Sequence, residues 1–277
     1  MNQGSDIKLA LAVQTAGAFP SLWVDYSNNE LTKSNFDQLK SNNILIPIVR
    51  ETLSDHKTLE LIDKYNISHC ELLATNKEGD YNDLDEWLNL PTTIAALKFI
   101  KRKTKIILRL RDVIDITKYP IFDAFSLKGS DSAGKTGTKP VREFFKEMID
   151  RYPQCSLIPM GGVGTAEDVQ WYMNNGALAV GVGTLFALCE ESPLTQDVKT
   201  ALISKTKSIT NLPDTKQNCV ILADKLLNES EWNRPDSLKR GIEGDGTQGH
   251  IYMGHGLKNV THVRSCEELV NYLISKL

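Results

Sequence analysis

Short, nearly continuous apolar runs recur along the first two thirds of the chain, separated by stretches whose apolar residues fall at helical spacing. The runs are 21–26 (SLWVDY), 44–49 (ILIPIV), 69–73 (HCELL), 105–110 (KIILRL), 124–128 (AFSLK), 156–160 (SLIPM) and 178–182 (LAVGV). Helix-period stretches lie between them at 35–39, 58–65, 92–101, 141–152 and 166–173. Strands without strict alternation suit a sheet covered on both faces, and strands alternating with helices of about ten residues predict βαβ units in a parallel sheet. Seven strands would suit an open doubly wound sheet, whereas a closed (β/α) barrel requires eight.

After Phe186 the alternation stops. Residues 193–202 and the apolar run 220–227 (VILADKLL) read as helices, 241–256 (GIEGDGTQGHIYMGHG) reads as an irregular loop, and 265–277 reads as a closing amphipathic helix. The run 9–13 is too short for a signal peptide and reads as a first helix.

Composition narrows the functional classes. A formal charge of −3 gives no pull toward nucleic acid or an anionic membrane. The most basic stretch, 100–106 (IKRKTKI), reads as a solvated helix end. No run approaches the roughly 18 apolar residues that span a bilayer. The five cysteines (Cys70, Cys155, Cys189, Cys219, Cys266) are scattered, with no CxxC pair and no histidine at zinc-finger spacing. No metal site is expected, and free thiols in the cytoplasm are.

The strongest local signal is residues 158–164 (IPMGGVG) followed by Thr165 and Asp168, a strand running into glycines and then into a capped helix. About twenty residues on, a second strand ends in Val182-Gly183-Thr184. Glycines let a backbone approach an anion closely, and the amides at a helix start are free to bind it. In (β/α) barrels a phosphate commonly sits between the loops after the seventh and eighth strands. The paired loops therefore favour an α/β fold of the TIM-barrel type that binds a phosphate-bearing ligand.

Four blocks carry a resemblance to the nitronate monooxygenase family and its relatives, the FMN-dependent enoyl-acyl-carrier-protein reductases. Residues 9–22 (LALAVQTAGAFPSL) resemble the family's first helix and turn, and 123–137 (DAFSLKGSDSAGKTG) its Gly-x-Glu-Ala-Gly-Gly-His-x-Gly loop. Residues 158–192 resemble the phosphate-loop block, and 252–257 (YMGHGL) the late Ala-Gly-Gln segment. The resemblance implies a single FMN-binding barrel over 1–277. It implies a small helical insertion at 187–247 after the last strand and a return to the barrel at 248–277. The family's first strand has no counterpart here, which accounts for the count of seven. The two open strand edges at 21–26 and 178–182 should then be covered by the N-terminal residues, the C-terminal segment or a second subunit in a homodimer.

The resemblance also implies roles. Lys128, Gly129, Gly134, Gly161, Gly162, Val182, Gly183, Thr184, Tyr252 and Gly254 are expected to hold FMN. Lys128 would face the electron-rich edge of the reduced ring. Two positions depart from the family pattern: Lys135 stands where the loop histidine is expected, and His255 where the late glutamine is. Both are expected in catalysis, Lys135 through its positive charge and His255 as a group that exchanges protons near neutrality. Asp131 stands at the family's glutamate and is expected to accept hydrogen bonds from loop amides. The activity implied is oxidation of alkyl nitronates or related carbanion-forming small molecules through flavin, with dioxygen or NAD(P)H as partner. Two alternatives stay open at this point: reduction of an enoyl thioester, and a flavin-binding barrel without chemistry.

Overall fold

The computed structural model describes residues 6–24, 29–39, 41–75, 80–204, 209–211, 217–222, 234–244 and 247–277. Its core is a five-stranded parallel sheet in the order β1-β2-β3-β4-β6. These are β1 (Leu45–Val49), β2 (His69–Leu73), β3 (Lys105–Leu110), β4 (Ala124–Lys128) and β6 (Leu157–Met160), with the short β5 (Gly134–Lys135) in the loop after β4. The helices of this half are α1 (Ile7–Thr15), α2 (Asn29–Gln38), α3 (His56–Lys64), α4 (Leu84–Leu88), α5 (Pro91–Lys101), α6 (Val141–Arg151) and α7 (Ala166–Asn174). Those after it are α8 (Thr184–Ala187), α9 (Gln196–Ile203), α10 (Arg234–Glu243) and α11 (Cys266–Ile274).

Local chemistry accounts for the units. In α6, Val141, Phe144, Phe145 and Met148 recur at i, i+3, i+4 and i+7 and are all buried. Thr165 and Asp168 form the capping box that starts α7, and Ser265 with Glu268 forms another that starts α11. Each strand presents one apolar face to the helices: Cys70 and Leu72, Ile106, Leu108 and Leu110, Phe125 and Leu127 belong to the main core. The opposite face, on residues such as Glu71, Arg109 and Ser126, looks into the barrel.

The two outermost expected strands are each reduced to a single bridge. Ser21 pairs with Leu45, and Gly181 pairs with Met160, both in parallel. Seven strand positions therefore follow one another in barrel order. Among the described residues, no pairing joins the Gly181 edge to the Ser21 edge. Instead α11 packs against α7, α8 and α1, so helices cross the seam on its outer side. Leu178 and Phe19 stay exposed at these edges, 56% and 48% accessible.

The segment 187–247 differs from the helical insertion expected. It carries α9 and α10, but also β7 (Ile209–Asn211) and β8 (Gln217–Ile221). β8 pairs antiparallel with β7, with β9 (His250–Ile251) and with β5. The apolar run 220–227, expected as a helix, begins inside β8, and 223–233 lies outside the described residues. Length alone could not separate the two, since a short apolar run suits a buried strand or a helix equally. The stretch 241–256 is likewise more regular than expected, holding the end of α10 and β9.

Candidate active site

The register at the C-terminal ends of the strands builds the site. Lys128 pairs with Met160, and Met160 with Gly181, so the loops starting at Gly129, Gly161 and Val182 lie side by side. This is the end of a barrel where ligands bind.

Three loops interlock there. Ser132 Oγ donates to the Met160 carbonyl at 2.9 Å, and the Gly129 amide donates to the same carbonyl at 3.3 Å. The His255 amide donates to the Asp131 carbonyl at 2.9 Å, and the Gly254 amide donates to Thr184 Oγ1 at 3.1 Å. From the insertion, Asn218 Nδ2 donates to the carbonyls of Ser130 and Ser132, at 2.6 and 2.8 Å. Asp131 accepts from the Val141 amide at 3.1 Å, capping α6 from the loop as expected of it. Burial holds the Asp131 carboxyl above its ordinary range, against the opposing pull of that amide, His255 and Lys258.

The two glycine loops turn out to be used differently. Gly161 and Gly162 have φ of +118° and +66°, and a Cβ there would meet Ser132 Oγ at 2.1 Å and Asp131 Oδ2 at 2.5 Å. Their missing side chains are thus filled by the neighbouring loop. Asp168 already takes the amides of Gly164 and Thr165. At Gly183 a Cβ would meet nothing within 4 Å. Among the described residues, the amides of Gly162, Val163, Gly183 and Thr184 find no acceptor. These free donors, beside an open Gly183, fit a phosphate.

Sequence reading missed a polar cluster inside the barrel. Glu71, fully buried on β2, receives both Arg109 Nε (3.0 Å) and Arg109 Nη2 from β3, and Ser126 Oγ from β4. Lys128 lies one inward step further along β4 than Ser126. Burial, then the nearby Arg109 and Arg111, depress its ammonium to about 7 against the opposing pull of Glu71. The signal was present in the runs HCELL, KIILRL and AFSLK, whose polar residues (His69 and Glu71, Lys105 and Arg109, Ser126 and Lys128) all fall at alternate positions, on the face opposite the apolar one.

The remaining expected residues are placed as follows. Tyr252 is partly buried, its ring 3.9 Å from a Cβ built on Gly134 and edge-on to His250. His255 is exposed on the loop that its amide ties to Asp131. Lys135 is also exposed, but on β5, paired with Gln217 of the insertion. The structure thus brings Gly129, Gly161, Gly162, Thr184, Gly254 and His255 together around the 129–134 loop, and sets Lys135 at its far end on β5, against β8 of the insertion.

A hollow of about 740 Å³ between α9 and α10, lined among others by Asp197, Asp236, Lys239 and Arg240, shares no residue with these loops. In no described helix is there a stretch long and apolar enough to cross a membrane.

Comparison with known proteins decides the family. The model of the family described as nitronate monooxygenase matches residues 92–276. The chain belongs to the nitronate monooxygenase family. It is accordingly a flavin-dependent oxidoreductase, an enzyme rather than a barrel without chemistry. Solved structures agree on the fold. Nitroalkane oxidase from Streptomyces ansochromogenes matches with a TM-score of 0.76 at 14% identity, covering 100% of this chain and 93% of that one. FabK from Thermotoga maritima matches with a TM-score of 0.74 at 17% identity, covering 99% and 89%. The enoyl reductase domain of MlnA from Bacillus amyloliquefaciens matches with a TM-score of 0.63 at 10% identity, covering 97% and 91%. No curated protein matches the chain.

Proposed function

We propose that the flavin is FMN and that the enzyme, working in the cytoplasm, oxidises alkyl nitronates or related small carbanionic substrates with dioxygen. The observation that carries this reading is the set of free amides at Gly162, Val163, Gly183 and Thr184 at the same barrel end as Lys128. FMN supplies the two-electron redox step when bound. The protein's own residues bind, orient and steer charge. The amides around Gly183 hold the phosphate, with Thr184 positioning Gly254 and Gly129, Gly134, Gly161, Val182 and Tyr252 shaping the walls.

Lys128 stabilises negative charge on the electron-rich edge of the ring. Its depressed value follows from burial beside two further cations, so an arriving negative charge restores the proton. Lys135 draws anionic substrates to the mouth, and His255 takes the proton from a substrate that arrives neutral. Reduction of an enoyl thioester by NAD(P)H is the second reading, prompted by the likeness to FabK. A homodimer would cover the exposed Phe19 and Leu178.

Titration of the purified protein with FMN tests the reading. Oxidised flavin absorbance should appear on the protein, and an alkyl nitronate should bleach it faster than the neutral nitroalkane. Lys135→Ala should slow the anion, and His255→Ala the neutral form. At pH 8, calorimetry in buffers of different ionisation enthalpy should show proton uptake on FMN binding, lost in Lys128→Met. Bleaching by NADPH followed by reoxidation with an enoyl thioester, and not by nitronate, would replace the first reading with the second.

A further inference from the structure

The turn after α8 and the start of α11 meet at a pair of thiols. Sγ of Cys189 and Sγ of Cys266 lie 3.4 Å apart, 77 residues apart in sequence, and both residues are buried. Their surroundings are polar. Cys266 is the first residue of α11, and its amide donates to both carboxylate oxygens of Glu191, at 3.1 and 3.0 Å. Lys199 of α9, itself buried, donates to the carbonyls of Glu190 and Ser192, at 3.2 and 3.3 Å, and its charge acts on Cys189. A thiol donor and a buried cation both favour negative charge on sulfur. The Cys266 thiol, as donor, holds Cys189 below the ordinary thiol range against the cost of burial and the charge of Glu191, and is itself pushed up.

We propose that Cys189 and Cys266 are a peroxide-sensitive dithiol that closes to an intrachain disulfide. The Cys189 thiolate attacks one oxygen of hydrogen peroxide. An S–O bond forms, the O–O bond breaks, sulfur is oxidised to the sulfenic acid, and hydroxide leaves. The Cys266 sulfur then attacks the sulfenyl sulfur, the S–S bond forms, and the hydroxyl group departs with the Cys266 proton as water. Two thiols and one peroxide give one disulfide and two waters. The sulfurs must close from contact distance to about 2.0 Å, a short movement for side chains already facing each other.

Burial selects a small oxidant, because neither sulfur is open to a bulky one. The bond would join the turn behind the Gly183–Thr184 loop to the helix that crosses the barrel's seam against α1. Cys189, Glu191 and Cys266 also offer three ligand atoms within 4.8 Å of one another. Against a metal, Glu191 already accepts the Cys266 amide with both oxygens, and the adjoining Lys199 cation disfavours a second positive charge.

The full-length protein is exposed to hydrogen peroxide, quenched, unfolded and alkylated. Two of the five thiols should escape alkylation. The Cys189 and Cys266 peptides should appear as one linked species lighter by two hydrogens, and dithiothreitol should restore both. The oxidised protein should melt several degrees higher. Cys266→Ser should stop at a Cys189 sulfenic acid that dimedone captures, and Cys189→Ser should leave Cys266 reduced. Full alkylation of both cysteines after peroxide, read on the natural chain and so independent of any variant's folding, overturns the proposal. So does one equivalent of zinc in the purified protein that Cys266→Ser releases.

Discussion

The loop at 161–164 and the loop at 183–184 end neighbouring strands, share a glycine-rich composition, and do opposite things. At the first, the space freed by glycine is taken by Ser132 and Asp131, and the backbone is held in the left-handed region. At the second, the space is empty and φ is −116°, a conformation open to any residue. At the first loop glycine lets the protein pack against itself, and at the second it leaves open the space where the phosphate is proposed. Both loops place glycine directly after a strand, and the tertiary neighbours then set them apart.

The sharpest way to break this contrast is to fill the packed loop. Gly161→Ala would force a Cβ to within 2.1 Å of Ser132 Oγ at a φ of +118°. Strain and overpacking should cost about 3 kcal/mol. For a chain of this size, thermal melting should fall by roughly 6–12 °C. An unchanged melting temperature would mean that the loop is not packed as described.

Charge in the open loop should act on the ligand instead. Gly183→Asp sets a carboxylate beside the amides proposed for phosphate, worth about 1–4 kcal/mol of repulsion between solvent and surface dielectric limits. FMN affinity should drop about fivefold or more by absorbance titration, while the ligand-free protein melts as before. The corresponding change at Gly162 would not give so clean an answer, because its Cβ would meet Asp131 Oδ2 at 2.5 Å and disturb the fold as well.

Asp131 offers a smaller, pH-dependent test of the packed side. Its folded value lies above the ordinary 3.8, so charging it is harder in the folded protein than in the unfolded chain. Its contribution to stability is therefore full below about pH 3.8 and is lost as pH rises through the raised value. Asp131→Asn keeps an acceptor for the Val141 amide and removes that loss. Urea unfolding should show the variant equal to the natural protein in acid and more stable at neutrality. The mildest change, Gly183→Ala, should leave unfolding within about 0.5 kcal/mol of the natural value, since nothing stands in the way.

The alternation of strands and helices was legible because burial on both faces writes continuous apolar runs, and the capped helix after Gly164 because capping is local. The seven-strand count also follows from such runs, although the outer two hold only one bridge each. What stayed hidden depends on contacts between distant residues. Glu71, Arg109 and Ser126 are separated by 38 and 55 positions from Glu71 outward, and nothing local announces that they meet. The helix expected over 220–227 starts instead, at 220–221, as the end of β8, because a short apolar run suits a strand as well as a helix. Lys135 was placed by its position in a loop, whereas its partner strand lies more than eighty residues further on, at Gln217.

That pairing makes the 129–137 loop a lever with its handle in another part of the chain. β5 is bonded to β8, and the Asn218 amide grips the carbonyls of Ser130 and Ser132 from the same strand. The loop cannot lift from the barrel mouth while β8 stays put, and β8 cannot slide without dragging Lys135 with it. The loop at the proposed mouth is thereby tied to the insertion. A substitution in β7, which touches β8 and none of the glycine loops, is the place to expect a change in that loop without a change in any proposed site residue.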